Sequence, residues 1–585
     1  MGRTNWNKPL PCCGTPRLGW IALPSSVALL VCLSFTGLRQ AAAVESSATA
    51  GLDNVATPNA PAANPVLSAG YRSIESTTNA KVTVPTTAPK PKPPNKNSSF
   101  AGTPPHLTFA RLGLYPVFPT GPGYYSAADV LTGNYRQKPP PFPCGRISLK
   151  PFPFYDADFR YLDDPKNTYH LWSDVLKRRR IGDGWLVSTG GEFRDRYMNE
   201  IDSRLTPTIN RYEQLRTIVY GSLYYHDDFG VFVQYLDAQH LGAELPHLPI
   251  DRDPSDLTDL FVDLKLLEWD DHPLYVRGGR QELCLGSQRL VSNLDWANVL
   301  RTFQGVRMFR QGEKWDVTGF WLQPVVPDPF HFDSSDPRRN FTGIWSTYRS
   351  QVGRFWDLYV LNLENSNPVA VGEGGVVGGT NVTTLGTRLI GDLDTTWLYD
   401  FEGMLQIGRY SNQQLQAAAV TTGAGYNFKE LPLTPQFWVY YDFASGDSNP
   451  GQGGKFGTFN QLFPFAHYYL GYLDLVARQN IQDFNMQVVA FPTNWIYLLA
   501  QYHNFHLAQA RSPLFTAGGV PLRYDPTGAA GTYVGDEIDL IVNFHLTAHQ
   551  DILIGYSKLF AGSFIKRTGP DVSPELFYLQ HQLRW

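Results

Sequence analysis

The sequence predicts an all-β fold, a large antiparallel transmembrane β-barrel, and three observations predict it. The last nine residues alternate: Phe577, Leu579, His581, Leu583 and Trp585 fall on one side of an extended strand, and Tyr578, Gln580, Gln582 and Arg584 on the other. Segments of the same period recur from Trp185 to the end, separated by turn-rich intervals. Beyond the N-terminal region, no stretch offers the ~20 uninterrupted apolar residues of a spanning helix. A mostly apolar, aromatic face opposite a polar one suits a closed barrel, with lipid outside, water inside and no free edge. The last nine residues alone fit a half-buried strand of a soluble sandwich equally well, so the rest of the chain decides.

Residues 1–43 read as a secretion signal. Arg3, Lys8 and Arg17 precede an apolar run from Trp20 to Leu38, and Ala41-Ala42-Ala43 offers a cleavage site. The run is nearly long enough for a membrane anchor, but Pro24, Ser25 and Ser26 interrupt it, which favours the signal. Cys12, Cys13 and Cys32 would leave with it, so Cys144 and Cys284 allow one disulfide and no metal cluster. Residues 44–105, rich in Ala, Thr, Pro, Ser and Asn, cannot bury enough apolar surface to offset ordering and read as a disordered periplasmic spacer. Residues 106–180 form a loop-rich lead-in, with prolines from Pro139 to Pro143. Its basic run Lys177-Arg178-Arg179-Arg180 is expected as a solvated turn beside lipid headgroups.

The barrel is expected over 181–585. Trp185, Val187, Phe193 and Tyr197 share one parity, and Glu192, Arg194 and Arg196 the other. Leu215, Thr217, Val219, Leu223 and Tyr225 alternate with Gln214, Arg216, Ser222 and Tyr224. Ile538, Leu540, Val542, Phe544 and Leu546 alternate with Glu537, Asp539, Asn543 and His545. Similar segments occupy Leu257–Leu267, Leu274–Glu282, Arg301–Arg310, Trp315–Gln323, Phe355–Glu364 and Trp397–Tyr410. More follow at Gln436–Phe443, Phe484–Ala490, Trp495–Tyr502 and Asp551–Phe560. From Trp185 onward about 400 residues remain, enough at roughly 20 to 25 per strand and connection for 16 to 20 strands. A barrel so wide is expected to enclose a channel. Aromatic content of 14%, with 31 Tyr and 14 Trp, fits aromatic girdles, and a net charge of −4 points to neither nucleic acid nor a basic membrane-binding surface.

Signals for covalent chemistry are weak. His503 and His506, three apart on a strand, point to opposite faces, and His226-Asp227-Asp228 reads as a turn. There is no G-x-S-x-G elbow, phosphate-binding glycine loop or H-E-x-x-H, and no cofactor or metal is expected. Glu537 and Asp539 share a face and could form a glycosidase pair, but lumen acids balancing lumen arginines is the preferred reading. Arg194, Arg196, Arg216, Arg277, Arg301, Arg307, Arg388, Arg409 and Arg478 lie in or beside strand-like segments. An arginine facing lipid at the bilayer midplane costs ~2 to 4 kcal/mol, so these should point inward. Rings of arginine attract anions and hold carboxylates with paired hydrogen bonds; alternatively they pair with Asp263, Glu402, Glu537 or Asp539 and stiffen the wall.

Two stretches carry a specific resemblance. One is Gly279-Arg280-Gln281-Glu282-Leu283-Cys284-Leu285-Gly286-Ser287-Gln288-Arg289-Leu290, continuing through Asp295-Trp296 and Arg301–Arg307. The other runs from Tyr441-Asp442-Phe443-Ala444-Ser445-Gly446-Asp447 through Gly457–Pro464 to His467-Tyr468-Tyr469-Leu470-Gly471. Over roughly 150–585 the chain resembles the bacterial alginate-export family of outer-membrane barrels. The resemblance implies an 18-stranded barrel with an arginine-lined constriction that conducts an anionic polyuronate outward. It makes Arg280, Arg289, Arg301 and Arg307 channel residues, with Glu282 and Asp295 as ion-pair partners, and makes Ala444–Pro464 a long loop serving as gate or plug.

The expected function is thus an outer-membrane porin passing anionic polysaccharide or smaller anions, without covalent chemistry. Its expected partners are the substrate, outer-membrane lipid and a periplasmic export component, with no nucleic acid. The rivals are a secreted β-rich carbohydrate-active enzyme or lectin, and a general anion porin on the same barrel.

Overall fold

Alternating side chains build most of the chain. The structure, a computed structural model, describes residues 118–144, 152–351 and 354–585. The expected signal (1–43), the spacer (44–105) and residues 106–117 of the lead-in lie outside the described residues.

Eighteen long strands follow in chain order: β1 (Trp185–Ile201), β2 (Asn210–Tyr225), β3 (Phe229–Leu241), β4 (Asp253–Trp269), β5 (His272–Glu282) and β6 (Thr302–Gln311). Next come β7 (Trp315–Val326), β8 (Arg339–Gln351), β9 (Arg354–Val371), β10 (Val377–Leu393), β11 (Trp397–Tyr410) and β12 (Gln413–Asn427). The last are β13 (Gln436–Ala444), β14 (Ile481–Thr493), β15 (Ile496–Leu507), β16 (Tyr533–Thr547), β17 (Gln550–Ala561) and β18 (Glu575–Arg584). Each pairs antiparallel with the next, and β18 pairs with β1 from Glu192↔Arg584 to Ile201↔Glu575. The sheet therefore closes into an 18-stranded barrel and leaves no edge, which hydrocarbon requires of a spanning sheet. Among the described residues no helix is long and apolar enough to cross a membrane.

Parity sorts the two faces. On β11, Leu398, Asp400, Glu402, Met404 and Gln406 are buried inside, while Trp397, Phe401, Leu405 and Ile407 are exposed outside. On β18, Tyr578, Gln580 and Gln582 point inward and Phe577 and Leu579 outward, as the alternation predicts. Four strands, β3, β8, β10 and β12, are absent from the segments that the sequence singles out. In β12 the reason is visible: at Gly423 and Gly425 a Cβ would stand 2.2 and 2.5 Å from the rings of Tyr440 and Trp438 on β13. The apolar bulk on that patch of wall comes from the neighbouring strand, so β12 shows little period of its own.

Connections at one end are short (226–228, 270–271, 494–495, 548–549), and at the other long (242–252, 283–301, 445–480, 508–532). In outer-membrane barrels the short turns face the periplasm. Strand β1 begins and β18 ends on that side, and the lead-in enters there. Phe154 stacks on Tyr220 at 5.0 Å, and the Tyr155 hydroxyl donates to the Glu282 carbonyl at 2.7 Å. The basic run is not a solvated turn throughout. Arg179 and Arg180 are exposed, but Lys177 is buried, its Nζ donating to Thr189 O (2.7 Å) and the Tyr220 hydroxyl (2.6 Å), and Arg178 pairs with Asp163.

The width allows a channel, but side chains of inward-folded connections occupy the interior. Strands β5, β6 and β13 have only 11, 10 and 9 residues, against 18 for β9, and from their ends segments 283–301 and 445–480 turn inward. Leu285, Leu290, Phe463, Tyr468 and Leu470 of these segments join Phe303, Phe341 and Leu361 of the wall in one apolar cluster. Among the described residues neither Cys144 nor Cys284 is in a disulfide; both thiols are free and buried.

Because Leu405 is 60% exposed on the outer face, Leu405→Arg is expected to destabilise the barrel in lipid by about 2–4 kcal/mol, with Leu405→Ala costing much less. Urea unfolding in liposomes, read by heat-modifiable gel mobility, measures the difference; equal stability of the two variants would contradict the outward assignment.

Candidate functional site

The site is the pair of inward segments and the arginines that hold them. The segments are knitted into one body by main-chain bonds. Ser292 N donates to Phe463 O (2.9 Å), Phe463 N to Leu290 O (2.8 Å) and Phe465 N to Gln288 O (2.9 Å). The Tyr469 hydroxyl adds a bond to Ser287 O at 2.5 Å. Tight turns make the fold-back feasible. Gly471, at φ +90°, passes so close to the wall that a Cβ would lie 2.4 Å from Glu537 Oε1.

Three predicted arginines grip residues 295–298. Arg194 donates to the carbonyls of Asp295 and Ala297, both at 2.7 Å. Arg196 donates to Trp296 O (2.7 Å) and to Gln580, and its guanidinium lies 3.8 Å from the centre of the Trp296 indole. Arg216 is bonded to Glu192 (2.5 Å) and to the Asp295 carboxylate (2.7 Å). Glu192 also receives Arg584 at 2.8 Å, which lies 3.8 Å from Asp295. Burial pushes the Asp295 carboxyl up, but Arg216, Arg584 and Arg194 together hold it below the ordinary carboxylate range. On the opposite wall, Arg289 reaches out from the segment to Asp400 (2.6 Å) and Glu402 (3.0 Å) on β11.

The remaining predicted residues divide between wall and mouth. Arg277 pairs with Asp263 (2.8 Å), Arg388 with Asp357 (2.7 Å) and Arg280 with Asp256 (3.0 Å). Arg307 bonds Thr318 Oγ1 at 3.0 Å. Arg301 donates to Ser292 O (3.2 Å) and Pro464 O (3.1 Å), bridging the two segments. Arg409 is exposed near the end of β11 and shares the parity of Phe401, Leu405 and Ile407, so it does not face the lumen.

Three expected ion pairs are replaced by other contacts. Glu282 accepts from the amides of Asn293 (2.5 Å) and Gln234 (3.1 Å), not from an arginine. Glu537 accepts from Leu473 N (3.0 Å), and Asp539 lies 3.4 Å from Tyr472 N and 3.7 Å from His503. Glu537 and Asp539 are buried inside, on the face their parity gives them, but folded-in main chain reaches them, and side-chain amides reach Glu282. Most of the arginines are accordingly buried anchors and do not line an open lumen.

Arg339, which sequence reasoning missed, stands with Arg301 as the exception. Both are partly exposed, neither makes an ion pair among the described residues, and their guanidinium carbons lie 5.7 and 5.8 Å from the same Phe463 ring. Burial, and then the charge of Arg339, push the Arg301 guanidinium down to about 10, so it is still cationic at neutral pH. The signal for Arg339 was its parity with Phe341 and Trp345 on β8.

A family profile described as Alginate export matches residues 185–579. None of the curated proteins compared matches the chain. Solved structures similar to it include Pseudomonas aeruginosa OccK8 (OprE), 11% identical with a TM-score of 0.47, covering 68% of this chain and 98% of that one. Pseudomonas aeruginosa OpdQ (12%, 0.46, covering 68% and 97%) and Acinetobacter baumannii OccAB4 (10%, 0.44, covering 68% and 98%) are similar too.

Removing one partner of a buried ion network strands the others and costs about 3–5 kcal/mol. Arg216→Met should therefore release segment 283–301 from β1 and β2, lowering stability by that order and giving larger, noisier single-channel currents. Planar-bilayer recordings check this, and quiet wild-type currents would contradict it.

Proposed function

The chain belongs to the alginate-export family and forms an outer-membrane channel, and from that premise we propose that it conducts an anionic polysaccharide of the polyuronate type, with the knitted segments 283–301 and 445–480 as its gate. The observation that carries the reading is the Arg301–Arg339 pair at Phe463. Two like charges held against one ring, neither in an ion pair among the described residues, repel each other, and an anion placed there relieves the repulsion. A guanidinium takes a carboxylate through two parallel bonds, so successive uronate groups could be handed between such sites. Contacts this exposed are weak enough to release the chain as well as admit it.

The anchors explain how the gate is set. Arg194, Arg196 and Arg301 hold main-chain carbonyls, neutral acceptors that a polyanion can outcompete, since bonds to charged partners are roughly twice as strong. An arriving polyuronate thus has a route to loosen the segments that block it. In this reading residues 1–43 direct export, supported by their charged start, apolar run and Ala41-Ala42-Ala43, and the spacer awaits a periplasmic partner.

Replacing both Arg301 and Arg339 by Ala is expected to lower the anion-to-cation permeability ratio several-fold while leaving heat-modifiable mobility intact. Zero-current potentials in a salt gradient read this directly; an unchanged ratio would remove the pair from the conduction path.

A further inference from the structure

Away from the gate tethers, three donors from two chain segments converge at the long-loop end of β3. His240 is the penultimate residue of β3, and His247 and Asp251 lie on the connection 242–252. One ligand atom from each, an imidazole nitrogen or a carboxylate oxygen, falls within 4.8 Å of the other two. His240 is buried, stacked at 4.4 Å on Tyr212, and among the described residues neither of its ring nitrogens has a hydrogen-bond partner. An imidazole buried this way forfeits its hydration with nothing in return, which native interiors rarely tolerate.

From these observations we infer that His240, His247 and Asp251 form a binding site for a borderline transition-metal dication of the Zn²⁺ type. His240 Nδ1 and Asp251 Oδ2 stand 3.5 Å apart, too long for a good hydrogen bond but close to the roughly 3.4 Å that separates two ligands on a tetrahedral zinc with bonds near 2.0–2.2 Å. The His247 ring meets His240 at 4.7 Å between centroids, so its nitrogen closes on the same point by a small rotation. Two imidazoles select against Mg²⁺ and Ca²⁺, which prefer all-oxygen shells. Three protein ligands leave a fourth position open to water or to a carboxylate of a passing solute.

The connection is already shaped to present its ligands. Asn210 Oδ1 accepts from Glu244 N (3.0 Å) and Leu245 N (3.2 Å), and Asp251 Oδ2 accepts from Leu248 N at 2.7 Å. A carboxylate oxygen carries two lone pairs, so Oδ2 keeps one for the metal beside that bond. The site also touches the gate, because Asn298 Nδ2 donates to Asp251 O (3.1 Å) and Val299 N to Ile250 O (3.0 Å). A bound dication would fix the connection 242–252 that residues 298–299 lean on.

The test uses full-length protein in detergent, without a polyhistidine tag and stripped with a chelator, titrated with ZnCl₂ by calorimetry and with Co²⁺ as a coloured probe. Wild type is expected to take one equivalent, with Co²⁺ giving the intense visible absorption of a four-coordinate site. His247→Ala, on an exposed loop, and His240→Gln should each weaken binding by about tenfold or more. Should His240→Gln fail to show barrel-like mobility on gels, His247→Ala decides alone. Absence of saturable binding by wild type, or wild-type affinity in His247→Ala, overturns the site.

Discussion

Closure at the β1–β18 seam is the constraint on which the rest depends. In hydrocarbon every main-chain donor must be satisfied within the sheet, so the first and last strands have to meet in register. Glu192 sits at that seam and is bonded by Arg584 of β18, by Gln582 of β18 and by Arg216 of β2. The same Arg216 holds Asp295 on the inward segment. One buried carboxylate therefore links closing the barrel to fixing what fills it. Taken singly, such buried charges seldom stabilise a fold more than apolar packing would. What they contribute here is position, since guanidinium forks accept few geometries.

The inward segments turn an empty cylinder into a packed one. Apolar side chains of 283–301 and 445–480 merge with the inner wall, while the arginines satisfy main-chain groups that no strand pairs. This division suits the gate proposed above. Apolar packing gives a defined closed arrangement, and bonds to neutral carbonyls can be exchanged for bonds to a polyanion without leaving charges bare. An interior held only by carboxylate pairs, like Arg289 with Asp400 and Glu402, would be harder for a substrate to loosen.

Much of the barrel was legible because lipid forces a period of two on the outer face. The final strand, β16 with Glu537 and Asp539, and the inward direction of Arg194, Arg196 and Arg216 all follow from parity alone. Strands such as β12 were not legible, because their glycines and alanines make room for rings on the neighbouring strand. At the site, direction was readable and partnership was not. Glu282 carries the same parity information as an ion-paired acid, yet Asn293 arrives from eleven residues downstream once the chain folds inward. Arg409 shows the converse limit: near a strand end the penalty for facing outward fades, and parity no longer dictates a lumen position.

On the reading proposed above, this barrel passes anions under control of arginine. The most direct measurement is the zero-current potential of the wild-type protein in a planar bilayer under a salt gradient, repeated with a polyuronate on one side. Discrete channels with an anion-selective potential, blocked by the polymer, are the predicted result. Cation selectivity, or a potential and current indifferent to the polymer, would contradict it.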